Sequence, residues 1–583
     1  MYPEILSRIG LDNLHPGMIM MLFGMLIWVL PEFMRKTLSI LAPICAGISF
    51  FLLNEGSRFT YYVTKSFKVE LIKVDRMTLA FMLVFVMISF IAAIYSLETQ
   101  DRKESGMSAF YTGSILGIVL AGDSISFIVF WEISAFASTY MIYKRNNRKS
   151  SRSAFRYLLM HAFGGNILLV GIMIHVAKYG TEFVNISSSR DLSFWLVLIG
   201  VAINAAIPPF NGWLPDAYPN TNISGMLYMG SYTTKAAIYA LIRFFAGTEF
   251  LVWVGAIMAV YAACMAIMEN DIRRLLSYHI ISQLGMMVAA LAVGSKTGVD
   301  AASAHTVTNV LFKGVLIMCA GVIIYSTGKS KITELGGLWK KMPVTSVCFL
   351  ICSLAIAGIP FSSGFASKSL VTLSLTDGGH IISYILVNLA GIGTLLSVTF
   401  KINYFVFFGK SDKDIEVSRI PISMNIAIAM GTIVTVILGI FPQLLYRYTT
   451  HGTSINPFTL THILEYVAIF VGSSIPFIIY IKKMKPHDEI SLDFDFIFRK
   501  PLFKVVDRIS RVIYSFMLFC DKHVLHGMQF MGSHLADPYL WTEKSHSIRI
   551  RNMSFENEEK LIGDVIQAAV AVTSIVIVLT AVL

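Results

Sequence analysis

The sequence predicts an all-α polytopic membrane protein of about 14–16 transmembrane helices. It further predicts two inverted-topology repeats, each containing a discontinuous helix, and a C-terminal amphipathic helix. Three observations carry this. First, 55% of the 583 residues are hydrophobic and 14% charged, with a mean hydropathy of +0.67, whereas soluble chains carry about 45–50% apolar and about 25% charged residues. Second, the apolar residues gather in runs of about 20, the length at which a helix crosses a bilayer. Third, two of those runs hold proline and glycine at mid-span. A soluble enzyme, a disordered chain, a nucleic-acid binder and a secreted disulfide scaffold are all disfavoured. The net charge of +11 reads as basic loops on the inner face of a membrane. Six cysteines (Cys45, Cys264, Cys319, Cys348, Cys352, Cys520) show no CxxC pair and no metal spacing. Five sit in apolar runs, where thiols pack as small hydrophobes.

Sixteen runs follow in order, near 17–32, 37–53, 77–97, 108–121, 124–143, 157–177, 193–209, 223–244, 249–268, 275–293, 301–326, 344–376, 381–408, 422–445, 463–481 and 562–583. Helices are the open-ended solution, because each backbone N–H and C=O must be satisfied within its own segment. No alternating pattern supports a barrel. The first run follows a mixed leader without a small-residue cleavage site, so no cleavable signal is expected. Loops after odd-numbered runs carry 19 Lys and Arg against 10 in the opposite set, which makes the odd loops cytoplasmic and turns both termini outward. The decisive loop is 144–156, with six basic residues and no acid.

The chain divides into N-terminal helices (1–107), a first repeat (108–245), a second repeat (246–410), C-terminal core helices (411–481), a charged cytoplasmic or lateral segment (482–561) and a terminal span (562–583). Within the charged segment, 499–532 spaces Leu502, Val505, Val506, Ile509, Val512, Ile513, Phe516 and Met517 helically, with Lys504, Asp507, Arg508 and Arg511 between them. That predicts an amphipathic helix of about 45 Å, lying flat on the membrane, along other spans, or on its own loop.

Ionisable residues inside spans are the informative ones. Each costs roughly 2.5–3.5 kcal/mol or more at mid-membrane, so each needs a partner or a wet path. Glu132 lies in SISFIVFWEISAFASTYMIY and Lys235 in ISGMLYMGSYTTKAAIYALIRF. His305, Asn309 and Lys313 are spaced i, i+4, i+8 and share one helix face. Lys368, with Ser369 beside it, follows a break in LAIAGIPFSSGFASKSL. His161 and His279 sit nearer span ends. Such a row can pass protons, and a charge change at one site shifts the next. No catalytic residue, cofactor or metal is expected.

Two runs carry helix breakers, VAINAAIPPFNGWLPDAY with Pro208 and AGIPFSSGF with Pro360, these prolines 152 residues apart. Proline removes a ladder bond, and exposed backbone at that depth is tolerated where it lines a cavity. The two cores are alike and five spans apart, so the copies run in opposite directions, as in ion transporters with inverted repeats.

At these residues a family resemblance appears. WEISAFASTYMIY, WLPDAY, TTKAAIYALIRF, ENDIRRLLSYHIISQLGMM, HTVTNVLFKGVLIMCAGVIIYSTG, LGGLWKKMP and LAIAGIPFSSGFASKS occur in order between about 108 and 410. Together they resemble the proton-pumping membrane subunits of respiratory complex I and the large subunits of Mrp-type cation/proton antiporters, the D-type in particular. The long segment before the last span is similar instead to the distal complex I subunit with its lateral helix. The resemblance implies a hydrated polar axis with two pseudo-symmetric half-channels. In it Glu132 is the key carboxylate, Lys235 a relay, His305 and Lys313 the central connection and Lys368 the terminal lysine. It implies H⁺ and Na⁺ as transported ions, other membrane subunits as partners and a bacterial cell membrane as the location. The chain departs from the family at Asn204, where a lysine is usual, and at Asn211 and Asn309, where histidines occur. Either Glu132 pairs with Lys235, or the first half works differently, or it is closed. Three readings follow: a component of a multi-subunit antiporter, a membrane-arm component of a complex I-like or hydrogenase-like redox complex, and a scaffold with an impaired first half-channel.

Overall fold

The computed structural model describes residues 14–62, 68–409, 415–481, 503–520 and 523. Fifteen of the sixteen apolar runs fall there, and each is helical. In chain order they are α1 (Pro16–Val29), α2 (Glu32–Phe51), α3 (Arg76–Ser96), α4 (Arg102–Leu120), α5 (Ser124–Tyr143), α6 (Arg148–Tyr179), α7 (Leu192–Asn204), α8 (Ile223–Phe245), α9 (Phe250–Met268), α10 (Ile272–Ala292) and α11 (Lys296–Thr327). There follow α12 (Pro343–Ala357) and α13 (Ser363–Asp377), the two halves of one broken run, then α14 (Ile381–Phe408), α15 (Ile422–Ile440) and α16 (Leu460–Tyr480). Ten helices among the described residues are long and apolar enough to cross a membrane. The sixteenth run, 562–583, lies outside the described residues.

Local chemistry sets the helix ends. Asp75, Asp101, Asp123, Asn147, Asp191, Asp271 and Ser295 stand one residue before α3, α4, α5, α6, α7, α10 and α11, each accepting a hydrogen bond from a first-turn N–H. Gly328 and Gly358 end α11 and α12 in the left-handed conformation.

The sequence reading did not anticipate one element. Between α2 and α3 an antiparallel hairpin pairs β1 (Arg58–Tyr62) with β2 (Lys68–Lys73). It docks on the bundle through Glu70, whose backbone N–H donates to the Asp123 carboxylate. Its short, half-polar strands carry no span-length signal.

The repeats appear as matched helix pairs. Asp123 before α5 and Asp271 before α10 are 148 residues apart, and so are Asn147 before α6 and Ser295 before α11. Both α6 and α11 have 32 residues. The chain leaving each returns to bridge its own repeat's capping aspartate, Asp123 with Glu182 and Asp271 with Lys331. Next come the interrupted helices, α7 and α12. Four helices intervene between these two, so the chain traverses them in opposite senses.

Packing is concentric. All of the most apolar stretch of α10 and nearly all of that of α11 are buried, whereas α16 is mostly exposed apolar surface. The α11 helix packs on α3, α8, α10, α12, α13 and α15. Glycines allow the closest crossings. A Cβ on Gly24 would lie 2.6 Å from the Gly106 carbonyl oxygen, and one on Gly106 would lie 2.7 Å from that of Gly24. Seven residues earlier on α1 and seven later on α4, Gly17 and Gly113 meet in the same way. Without a hydrophobic drive between helices in lipid, such close backbone approach supplies the attraction. At the rim, Arg243 of α8 forks onto Asp75 with contacts of 2.5 and 3.0 Å, tying α8 to the start of α3.

Residues 1–499 and 500–583 are separate units. Of the amphipathic segment expected at 499–532, Phe503–Cys520 is described and is helical, with Val512, Phe516 and Met517 exposed. Most of 482–561 lies outside the described residues.

Two outcomes follow from this packing. Gly106→Leu, which forces α1 away from α4, should destabilise by about 1–3 kcal/mol or more; an unchanged thermal midpoint in detergent would contradict the tight crossing. Burial pushes the Asp75 carboxyl up, but the Arg243 charge and the hydrogen bonds from Arg243 and Thr78 outweigh it and hold it below the usual carboxylate range. Its stabilisation is therefore present above the unfolded value of about 3.9 and fades as pH falls through the folded one. Asp75→Asn should lower the midpoint at neutral pH and approach wild type in acid, as a melting series over pH would show.

Candidate functional site

The site is built on the most enclosed helices. On α10, His279 and Gln283 are one turn apart; on α11, His305, Asn309 and Lys313 are successive turns of one face. All five are buried. The faces meet where His305 Nε2 lies 3.1 Å from Gln283 Oε1. His305 Nδ1 lies 2.9 Å from Ser367 Oγ on α13, next to Lys368 in sequence. His279 Nε2 lies 2.7 Å from Ser397 Oγ on α14. A polar seam thus runs between α10 and α11 and opens toward α13 and α14.

Lysines line this seam. Lys235 of α8, fully buried, donates to the Gly230 carbonyl at 2.6 Å. It lies within electrostatic range of Lys313 and His305. Lys368 interacts electrostatically with His305 and His279. Lys401 of α14 donates to the Ile267 and Glu269 carbonyls, both at 2.7 Å, at the end of α9. His279 feels the Lys401 charge as well.

The broken helix explains how Lys368 is held. Once α12 stops at Ala357, the Gly358 and Ile359 N–H groups still reach the Leu354 and Ala355 carbonyls, which leaves those of Ile356 and Ala357 without a following helical N–H. Lys368 donates to Ile356 at 2.6 Å and approaches Ala357 at 3.4 Å. The ammonium therefore sits at the partially negative end of a helix dipole. A cavity of about 20 Å³, enough for a water, lies beside it between Gly358, Asn388 and Tyr466. In the first repeat the corresponding break after Asn204 is closed differently. Trp213 Nε1 donates to the Ile203 carbonyl at 2.8 Å, which also accepts from the Ala206 N–H, so a neutral indole meets the end of α7 where an amine meets the end of α12. Pro208 and Pro360 lie in these two breaks, both half-buried.

Several buried polar atoms here have no protein partner among the described residues: Lys313 Nζ, His279 Nδ1, Gln283 Nε2 and both side-chain polar atoms of Asn309. Buried polar groups are rarely left unsatisfied, so this concentration along one seam marks where water belongs.

The sequence-derived residues separate into two groups. Lys235, His305, Asn309, Lys313 and Lys368 gather around the seam. Ser369 is buried nearby but bonds only the Phe365 carbonyl of its own helix, at 2.8 Å. Glu132 stands apart. It is half-buried on α5, its Oε1 has no partner, and a Cβ on Gly165 of α6 would strike it. The expected alternative pairing of Glu132 with Lys235 does not form, because Lys235 turns to a backbone carbonyl instead. Asn204 is buried beside His161. Sequence reasoning passed over Gln283, Ser367, Ser397 and Lys401 and underweighted His279. Lys401, in the apolar stretch TLLSVTFKINYFVFF, was visible to the rule that flagged the other lysines. The uncharged partners carry no such signal.

Comparison with known proteins finds one matching family and several relatives. Residues 121–397 match the NADH:quinone oxidoreductase/Mrp antiporter transmembrane family. The chain is similar to the A-type subunit of the Na(+)/H(+) antiporter of Alkalihalophilus pseudofirmus, 30% identical over 424 residues, with 64% of this chain and 52% of the relative covered. It is also similar to the A/B-type subunit of a probable K(+)/H(+) antiporter of Rhizobium meliloti, 30% identical over 381 residues, covering 61% of this chain and 37% of the relative. The chain thus spans about half the length, or less, of these curated relatives, which are of the A-type rather than the D-type of the sequence resemblance. Its fold is similar to a chain of the Mrp complex from Dietzia sp., with TM-score 0.64 and 21% identity over 80% of this chain and 97% of that one. A chain of respiratory complex I from Thermus thermophilus gives TM-score 0.64 and 21% identity over 75% and 100%.

The His305 anchor is testable by stability. Gln283→Leu removes the partner of His305 Nε2 and should destabilise by about 1–3 kcal/mol. Ser369→Ala should stay within about 0.5 kcal/mol. Equal thermal midpoints for the two variants would contradict the anchor.

Proposed function

We propose that this chain, whose residues 121–397 match the NADH:quinone oxidoreductase/Mrp antiporter transmembrane family, moves protons, in exchange for a cation such as Na⁺, within a multi-subunit membrane antiporter. The observation that carries this reading is the enclosed row from Lys235 through Lys313 and His305 to Lys368, with its orphaned polar atoms. Structural glue would pair these charges. Here the lysines have no carboxylate partner among the described residues and meet carbonyls, hydroxyls and room for water instead.

Each side chain has a part in such a transfer. An amine on a helix-end carbonyl accepts a proton without a permanent counter-charge, because the dipole stabilises the ammonium. Two ammonium groups in one low-dielectric seam repel, so loading Lys235 or Lys313 favours release further along. His305 can take a proton on one ring nitrogen and give one up from the other, and its Ser367 and Gln283 contacts hold both nitrogens in line. The break after Ala357 supplies the polar end of this route. Asn309 and Ser369 support it as neutral groups that hold water.

The chain lies in a bacterial cell membrane as a multi-pass protein, with loop 144–156 inside, on the strength of the basic-loop asymmetry. Its two antiporter-like repeats occupy 108–245 and 246–410, supported by the matched helix pairs, with 1–107 and 411–481 flanking them.

The complex I-like folds favour a second reading, in which the same axis is driven by electron transfer in partner subunits. The purified native complex separates the two: small hydrophobic antiporter subunits favour antiport, iron–sulfur subunits the redox arm.

Lys368→Ala in the assembled complex should reduce proton/cation exchange in inverted vesicles by about tenfold or more, with assembly confirmed by native electrophoresis. Wild-type exchange by an assembled variant would end this reading of the second half.

A further inference from the structure

The first half of the molecule holds a second polar site, apart from the lysine row. Three buried or half-buried groups on three consecutive helices lack partners there: Glu132 Oε1 on α5, both ring nitrogens of His161 on α6 and Asn204 Oδ1 on α7. They are contiguous. His161 and Asn204 lie within hydrogen-bonding reach of each other but out of line for a direct bond. One turn on from His161, on the same face of α6, Gly165 is the spot against which the Glu132 carboxylate rests. Only a glycine leaves room for that oxygen.

One turn the other way along α6, away from Gly165, His161 adjoins a cluster of hydroxyls. Its ring stacks on Tyr157, with centroids 3.9 Å apart. Tyr157 OH lies 3.0 Å from Ser138 Oγ and within reach of Thr233, whose hydroxyl is 2.6 Å from Tyr111 OH. Ser138 lies near the end of α5 and Tyr157 near the start of α6, so these hydroxyls occupy the half of the bundle that bears loop 144–156.

We propose that His161 is the proton-carrying residue of the first half, passing protons between this hydroxyl cluster and Glu132 across water held by Asn204. The inference rests on the proton-transport reading above and deepens it. An amide does not titrate, so Asn204 cannot carry the charge itself. Imidazole can, because a proton arriving on one ring nitrogen releases a proton from the other and the ring ends neutral. The ring is buried at 1% exposure, positioned by Tyr157 on its face and by Trp213 at its edge, 4.6 Å between centroids. Two such nitrogens beside an unpaired carboxylate oxygen and an amide oxygen are the set of polar partners that a bridging water needs. The first half is thus open, with histidine as its titrating base.

The test uses the assembled complex in inverted vesicles. His161→Gln keeps size and polarity but removes titration; it should lower proton/cation exchange by about tenfold or more while the complex still assembles. Adding Asn204→Lys to His161→Gln returns a titrating group to the same pocket from the neighbouring helix and should restore exchange to within about threefold of wild type. Wild-type exchange by His161→Gln would overturn the proposal. So would an inactive double variant that assembles, since His161 would then be structural. If the wild-type complex exchanges no ions, the transport reading fails on its own. The pocket is then judged by an experimental map: ordered water joining His161, Asn204 and Glu132 supports the site, and dry packing overturns it.

Discussion

The structure depends on how a buried amine is satisfied where no carboxylate is within reach. Stopping a helix at mid-depth frees carbonyls that a continuous helix would use itself. Lys368 fills that vacancy at the end of α12; at the ordinary end of α9, with Glu269 close by, Lys401 likewise meets two carbonyls. A charge in hydrocarbon and an unpaired carbonyl in hydrocarbon are each unfavourable; together they largely cancel. The remaining cost is offset by enclosure. The seam lies between α10 and α11, the two helices most completely wrapped by others, so its polar atoms face protein and water rather than lipid chains.

The inverted repeat makes this arrangement twice, with different outcomes. Helix lengths, capping residues and the bridging of Asp123 and Asp271 are nearly the same in both halves. At the break they diverge, with an ammonium closing the carbonyl end in the second half and the Trp213 indole in the first. The second half consequently concentrates lysines, whereas the first carries a carboxylate, an imidazole and an amide beneath a cluster of hydroxyls. One scaffold thus holds two polar sites of different chemistry at related positions. The match to antiporter and complex I folds extends over the scaffold; the difference between the halves belongs to this chain's side chains.

Much of the architecture was legible from hydropathy alone. All fifteen described runs are helical, and both breaks fall where proline and glycine placed them. The β1–β2 hairpin was not legible, since its residues neither alternate cleanly nor form an apolar run. The lysines and His305 stood out because ionisable residues in apolar runs are costly. Their neutral partners Gln283, Ser367 and Ser397 did not, because amides and hydroxyls are common in membrane helices for many reasons.

The sequence by itself determined that the chain is a helical membrane protein, where its helices start and break, and which charges needed an explanation. Those properties follow from transfer free energies and backbone geometry, which act over one or a few turns. Only the tertiary structure decided who meets whom: that Lys235 turns to Gly230, that Glu132 rests on Gly165 with no lysine opposite, and that His161 faces Asn204. Such pairings depend on how helices rotate about their axes and pack. Periodicity names a face but not the neighbour it will find.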